Sequence, residues 1–571
     1  MKHFVPGSSH RFGDTGCRVL KRSLREVQAT MVRDDIDGSV NGVPVHEMNG
    51  LSRRNLLKTA TVVGVGAAVA PALASAAPLS GRTRPGAKQQ STDPVRFLVA
   101  EAFPEGWNPY QHQIQIQRRI ENLVFDPLIR ITGDDFSTYS PALAESWSSI
   151  DDLTTEFKLR KGVTFHNGAP FTGADVKATI EFATGQTGAT VVSAARFVKT
   201  TVEVVDDFTV RLKTATPLAP LYNELSYLPI VSAADLTAGE ETLAAAANGT
   251  GPFSLSGNDP NIKTLAANAS YWGGAPAIGS LIWEYIADSQ TRLNALLAKQ
   301  AHAIDRVPPE HLAALEADDS ITLISKTGFE NVNLWMRQDA AAPWDAAAIK
   351  LREAVMWSID RQAIVTSLIG GASEVSISHI PNHATFAKAQ EPAYGLDRDK
   401  AKAALVEAGY ADGKGPELPL WGVTGFLPRG KEVAEAVADS LMQTGFDVKL
   451  QVTDIAAMVD GLFNEEKPGV FFHLSWSSNG DPHGALSTLY HSPSAWGAAD
   501  PQIDELIDTG AATVDPVKRA AIYEELQAYL WQNVVHVPLY NSDFTIAHVN
   551  ELQGVEALPN FMTFFDKATL A

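Results

Sequence analysis

Two hydrophobic periods run along this 571-residue chain and divide it into strands and helices. Val95-Arg96-Phe97-Leu98-Val99 reads as a first strand, and Gln113 to Leu123 carries apolar residues at helical spacing. Phe157-Lys158-Leu159 and Val202 to Lys213 have the alternation of strands in a smaller sheet. Between them Thr172 to Ala183 predicts a helix, with Thr172 as N-cap and Asp175 three residues later, close to a capping box. Ala346 to Ile369 and Arg398 to Ala408 predict helices, the second stopped by Gly409. Lys431 to Gln443 predicts another, leading into a strand at Val448 to Val452, and Val470 to Leu474 predicts one more strand. Helices and strands alternate after residue 330, so a second α/β lobe is expected behind the first.

The N-terminal pattern is different in kind. Ser52-Arg53-Arg54-Asn55-Leu56-Leu57-Lys58 matches a twin-arginine export signature, and an uncharged, mildly apolar run from Thr59 to Ala77 follows it. Small residues at Ala72, Ala74 and Ala76 predict cleavage near residues 74–77, which leaves no membrane span in the mature chain. An uncut N-terminal anchor is the competing reading. Residues 1–47 fit no part of an export signal and read as an over-extended start, and Gly81 to Thr92 reads as a polar linker. The only cysteine, Cys17, lies upstream of the folded body, so disulfides, thiolate catalysis and lipid acylation after cleavage are excluded. A freely diffusing periplasmic protein is expected.

Charge narrows the partners. Residues 1–92 carry 13 Lys/Arg against 6 Asp/Glu, which leaves 33 against 60 and a net charge of -27 beyond them. Such a surface repels phosphate backbones and anionic headgroups, so nucleic acid is not expected as a partner.

A series of motifs then carries a resemblance. Pro141-Ala142-Leu143-Ala144-Glu145-Ser146-Trp147 is followed by Phe157 to Val163, by Phe165-His166-Asn167-Gly168 and by Asp175-Val176. Gly249-Thr250-Gly251-Pro252-Phe253, Tyr271-Trp272-Gly273-Gly274 and Leu351-Arg352-Glu353-Ala354 running to Ile359-Asp360-Arg361 come later, in order. The order resembles the peptide, opine and nickel class of bacterial extracellular solute-binding proteins, family 5. The resemblance implies an α/β periplasmic-binding-protein fold of the class II type, two lobes with an extra subdomain on lobe one. Its parts would be 1–92 as extension, signal and linker; 93–330 as lobe one, with the inserted subdomain at about 126–205; 331–541 as lobe two; and 542–571 as a return to lobe one. It also implies a monomeric, cofactor-free receptor that hands solute to an ABC permease and, through it, an ATPase. The twin-arginine (Tat) translocase would be a partner during export.

In such a receptor the solute sits between the lobes and drives closure by binding the closed form more tightly. The resemblance points to Trp476-Ser477-Ser478-Asn479-Gly480-Asp481-Pro482 as the main marker. Peptide-binding relatives place an Asp after this Trp to pair with the peptide's amino terminus. Here its place falls on Asn479 or Ser478, neither charged, and a buried ammonium without a counter-ion costs several kcal/mol. Asp481 is a substitute, or a turn residue before Pro482. His473 stands where relatives often have a basic residue, and Gln113 and Gln115 align with positions that line a peptide backbone. Trp335, Trp421 and Trp476 are candidates for stacking on a ring, or core residues, and Arg337 is a candidate for a carboxylate, or a surface ion pair. A neutral, amide-rich pocket is expected, for small peptides or opine-like amino-acid conjugates first, with oligosaccharides and metal chelates as alternatives.

Other chemistry finds little footing. Gly64-Val65-Gly66 lies inside the export signal, and Pro381 between His379 and His383 breaks any helix that would align them as metal ligands. A secreted hydrolase using Asp481, His483 and His473 is the alternative from another class.

Overall fold

Strand Val95–Val99 is buried at four of its five positions and has parallel neighbours on both sides, Ser280–Tyr285 and Ala303–Asp305. A strand covered on both faces has no polar alternation to display, which is why this segment is almost continuously apolar. It is an inner strand of one large sheet in the computed structural model, which describes residues 93–571 apart from 111–114, 185–199, 339–342, 459–470, 493–498 and positions 135, 137, 246, 346, 425, 456 and 478. Arg53, Arg54, the cleavage region, Gln113 and Ser478 lie outside the described residues.

Two long strands, Ile321–Met336 and Val537–Val549, run antiparallel through the middle of the sheet, with register shifts after Thr327 and after Val332. At one end Val537–Val549 pairs with Ala303–Asp305; at the other Ile321–Met336 pairs with Phe471–Ser477. Beyond the latter, Glu417–Val423 lies parallel to Phe471–Ser477 and to Asp447–Thr453. The sheet therefore continues from one unit into the other. Burial divides the molecule at these same strands. One cluster holds buried residues from Val95 to Leu315 and again from Phe544 to Ala568; the other runs from Val332 to Tyr540.

Off the first unit stands a four-stranded antiparallel sheet of Ala144–Asp151, Thr154–Leu159, Thr209–Lys213 and Thr201–Asp206. It extends past residue 205, the expected limit of the inserted subdomain. Helix Gly173–Ala183 packs on it, and the capping box is present in full: Thr172 accepts from the Ala174 N–H and Asp175 accepts from the Thr172 N–H at 2.8 Å. Gly251 is needed for space, because a Cβ there would lie 2.6 Å from the Val124 carbonyl carbon.

Two expected elements change. The helix expected over Ala346 to Ile369 is broken into Ile349–Ser358, Arg361–Ile364 and a π-helical turn at Val365–Ile369. Ile359 is extended and Asp360 starts a new helix by accepting from the Ala363 N–H at 2.9 Å, a capping signal stronger than the continuing apolar period. The strand expected to end at Leu474 runs on to Ser477, so Trp476 is a strand residue paired with Asn331. The first helix is Gln115–Val124. Arg398–Glu407 and Gly430–Thr444 form as expected, the latter closed by Gly445 in the left-handed region.

Candidate functional site

Open parallel sheets bind ligands at the carboxyl ends of their strands, where loops diverge and backbone groups are free of the ladder. In the first unit those ends deliver Glu101, just past Val95–Val99, and Arg306, just past Ala303–Asp305. Arg306 donates from Nη2 and Nε to Glu101 Oε1, at 2.6 and 3.2 Å. Among the described residues, Arg306 Nη1 and Glu101 Oε2 have no hydrogen-bond partner. Arg306 adopts a left-handed backbone (φ 46°), held by its N–H to Thr545 O (3.0 Å) and by Arg292 Nη2 on its carbonyl (3.2 Å). Burial works to lower its pKa, but Glu101 and Glu330 outweigh that and the net shift is upward. Behind it Asp305 is sealed by Arg119 at 2.5 Å, whose guanidinium lies among Phe97, Trp283 and Phe544; that pair is structural.

In the second unit the carboxyl end of Glu417–Val423 leads to Arg429, also left-handed (φ 48°), immediately before helix Gly430–Thr444. Its Nη2 donates to Glu310 Oε2 of the first unit at 2.7 Å, and that bond holds the Glu310 carboxyl below its ordinary pKa. The carboxyl end of Phe471–Ser477 leads to Asn479 and Gly480. Asn479 O accepts from Asn223 Nδ2 (3.0 Å) and from the Tyr227 hydroxyl (3.4 Å), both of the first unit. Gly480 has φ 91°, and a Cβ there would lie 2.5 Å from Phe136 Cβ. Phe136 meets Phe329 edge-on at 4.7 Å, in a small cluster of its own at the junction.

The sequence-predicted residues are not all at this junction. Asn479 is, part-buried; Gln115 opens the first helix, half-buried; Arg337 follows the long strand, half-buried. Trp335 and Trp421 are packed in the second unit's core, at 2 and 7% exposure. Trp335 stands 4.2 Å, centroid to centroid, from the His536 ring. His473 is fully buried, and burial pushes its pKa down to about 4 against a smaller, opposing effect of the Gly430 backbone. Asp481 is the turn residue: it caps helix Pro482–Leu489, accepting from the His483 N–H at 2.9 Å. Arg519 also clamps it, Nη1 to Oδ2 at 2.6 Å and Nη2 to Oδ1 at 2.9 Å. A carboxylate so engaged is a poor counter-ion for a solute amine and a poor general base, which removes the basis for the hydrolase alternative. His379 and His383 lie in a loop, as Pro381 requires.

Sequence reasoning missed Glu101, Arg306, Glu310 and Arg429, of which Glu310 and Arg429 form an ion pair between the two units. Two of them were within reach of sequence: the strand-end rule applied to Val95–Val99 points to Glu101, and applied to Leu418 to Val423 it points to the loop carrying Arg429.

A family model of the bacterial extracellular solute-binding proteins, family 5 (middle region), matches residues 138–497. The chain belongs to this family. The glutathione-binding protein GsiB of Escherichia coli O1:K1 is 29% identical over 448 residues, 75% of this chain and 85% of GsiB. Two solved structures share the fold. The dipeptide-binding protein of Pseudoalteromonas sp. SM9913, in complex with Met-Leu, has a TM-score of 0.73 at 20% identity, over 84% of this chain and 100% of that one. AgaA from A. tumefaciens R10, in complex with agropinic acid, has a TM-score of 0.71 at 24% identity, over 84% and 99%. This family 5 protein is thus a two-lobe substrate-binding protein of an ABC transporter, and members of the family are extracellular or periplasmic. Among the described residues no helix is long and apolar enough to cross a membrane.

Proposed function

We propose that this receptor captures a small peptide-like or amino-acid-conjugate, opine-like solute between its lobes, 93–330 with 542–571 on one side and 331–541 on the other. One observation carries the reading. At the strand ends Glu101 and Arg306 stand side by side with Oε2 and Nη1 uncommitted among the described residues, an acceptor and a donor spaced for the amino and carboxylate groups of an amino-acid derivative. Asn223, Tyr227 and Asn479 add the amide and phenol groups suited to a peptide bond. The relatives support the same class, since glutathione, Met-Leu and agropinic acid are all built on amino acids. A micromolar complex has only ~8 kcal/mol to supply, so groups from both lobes are needed to drive closure. Calorimetry with glutathione, dipeptides and agropinic acid tests it. At least one should bind, and Arg306→Ala should weaken that binding by about tenfold or more. Binding of an oligosaccharide or a nickel chelate with none of the amino-acid derivatives would replace this reading.

Delivery to the permease is the family's activity; export through the twin-arginine route into a periplasm, and a monomeric state, belong to the same proposal. The support for the route is the signature at residues 52–58 and the uncharged run after it.

A further inference from the structure

Strand Val537–Val549 presents alternate residues to opposite faces. Asn541 and Asp543 turn toward the loop at 370–382: Asn541 Oδ1 accepts from the Asn382 N–H at 2.9 Å, and Ser373 Oγ donates to Asp543 Oδ1 at 3.3 Å. Tyr540, Ser542 and Phe544 therefore share the other face. That face leads to the charged pair at the strand ends, because the Phe544 ring stands 4.7 Å from Phe561 and the Arg306 guanidinium lies over Phe561 at 5.6 Å. Ser542 Oγ donates to Glu330 Oε2 at 2.6 Å, which fixes the Glu330 carboxylate on the same face. Tyr540 stands beside it, opposite Val332 in the neighbouring strand. Tyr540 is 1% exposed, and its hydroxyl has no hydrogen-bond partner among the described residues. Burial, and after it the Glu330 charge, push the pKa of this phenol upward, so it stays neutral.

We propose that Glu330 and Tyr540 receive a cationic end of the solute, so that this receptor selects basic amino-acid derivatives over neutral ones of the same shape. Such a preference rests on the proposed function, in which the solute's amino and carboxylate groups sit at Glu101 and Arg306. Those two groups balance each other in charge. Glu330 brings a further negative charge to the same face, and its field reaches Arg306, where it joins Glu101 in raising the guanidinium pKa. Ser542, which holds Glu330, lies two residues along the strand from Phe544, ~7 Å at the rise of a strand and within reach of a lysine or arginine side chain on the solute. There the Glu330 carboxylate would accept one N–H of the cation and the Tyr540 hydroxyl oxygen another, a charge-assisted bond beside a neutral one. A neutral solute of equal length leaves the phenol a partner but gives the carboxylate only an uncharged donor, and the difference is large because both groups are buried.

Calorimetry with alanyl-arginine, alanyl-citrulline and alanyl-alanine tests the preference, since citrulline replaces the guanidinium by a neutral ureido group of nearly the same shape. The wild type should bind alanyl-arginine about tenfold or more tightly than alanyl-citrulline. Glu330→Gln keeps an oxygen for Ser542 Oγ and removes the charge, so it should narrow that ratio to about twofold. Tyr540→Phe deletes a single oxygen and should cut the ratio by about threefold, which keeps the test open if Glu330→Gln folds poorly. Equal or weaker binding of alanyl-arginine by the wild type overturns the cationic site and leaves the proposed function standing, as does a preference unchanged in both variants. Binding of glutathione or agropinic acid with none of the dipeptides likewise overturns the cationic site alone, whereas no binding by any of these solutes overturns both.

Discussion

Removal of Arg519 should cost more than removal of both Arg519 and the charge it neutralises. The guanidinium makes two bonds to Asp481, at 2.6 and 2.9 Å, a third from Nε to Gly510 O at 2.9 Å, and lies over the rings of Phe386 and Tyr523 at 5.3 and 5.1 Å. Both charged side chains are nearly buried, at 7 and 10% exposure. Burial would lower the pKa of Arg519, yet Asp481 outweighs it and the net shift is upward. Arg519→Ala strips a buried carboxylate of its counter-ion, a change that typically costs about 3–5 kcal/mol. Asp481→Asn keeps the helix cap, because Asn caps as well as Asp, and removes only the charge. The double variant should therefore be more stable than Arg519→Ala by at least about 1 kcal/mol, a second mutation that stabilises. Urea unfolding followed by circular dichroism would show it as a lowered midpoint at unchanged slope for Arg519→Ala, partly restored in the double variant. A loss below about 1 kcal/mol for Arg519→Ala, or no recovery on adding Asp481→Asn, would refute the reasoning.

Three further outcomes are expected. Burial pushes the pKa of His379 and His473 down to about 4 and that of His536 well below its ordinary value, so the unfolded chain takes up protons first, near 6.5. Their stabilising contribution is complete above that pH and is lost as pH falls toward 4. Near pH 5 the three together contribute a slope of roughly 4 kcal/mol per pH unit, and His473→Leu should remove about a third of it in pH-dependent urea melts. Gly249→Ala should abolish or severely lower the yield of folded protein, because its Cβ would lie 2.7 Å from the Val124 carbonyl carbon; wild-type yield and melting would contradict the packing. Replacing Arg53 and Arg54 with Lys should leave precursor in the cytoplasm, read by fractionation and immunoblot, and unchanged export would remove the twin-arginine route from the proposal.

Local signals reported local structure well. The Thr172–Asp175 box, the Gly409 stop and the Val95–Val99 strand are each decided by neighbours a few residues away, and each is found where the pattern puts it. The Ala346 to Ile369 helix is broken because the cap at Asp360 outweighs the continuing apolar period. The site was harder to read because it is assembled over long separations. Glu101 and Arg306 are 205 positions apart, Glu310 and Arg429 are 119 apart, and nothing in the sequence near either residue of a pair names the other. Asp481 shows the converse. Its partner Arg519 stands 38 positions away on helix Pro516–Gln532, and without that partner in view a committed carboxylate resembles an available one.

The crossing strands also impose an order of assembly. The core of the first lobe is completed by Phe544 to Ala568, and strand Ala303–Asp305 has Val537–Val549 as its outer neighbour. A ribosome delivers those residues only after the whole of the second lobe. Until then the nascent first lobe exposes an unpaired edge and an open apolar face, the features that invite wrong pairing. On the proposed twin-arginine route, a translocase that accepts only folded cargo would act as a checkpoint, passing the chain only once strand Val537–Val549 has been laid into the sheet.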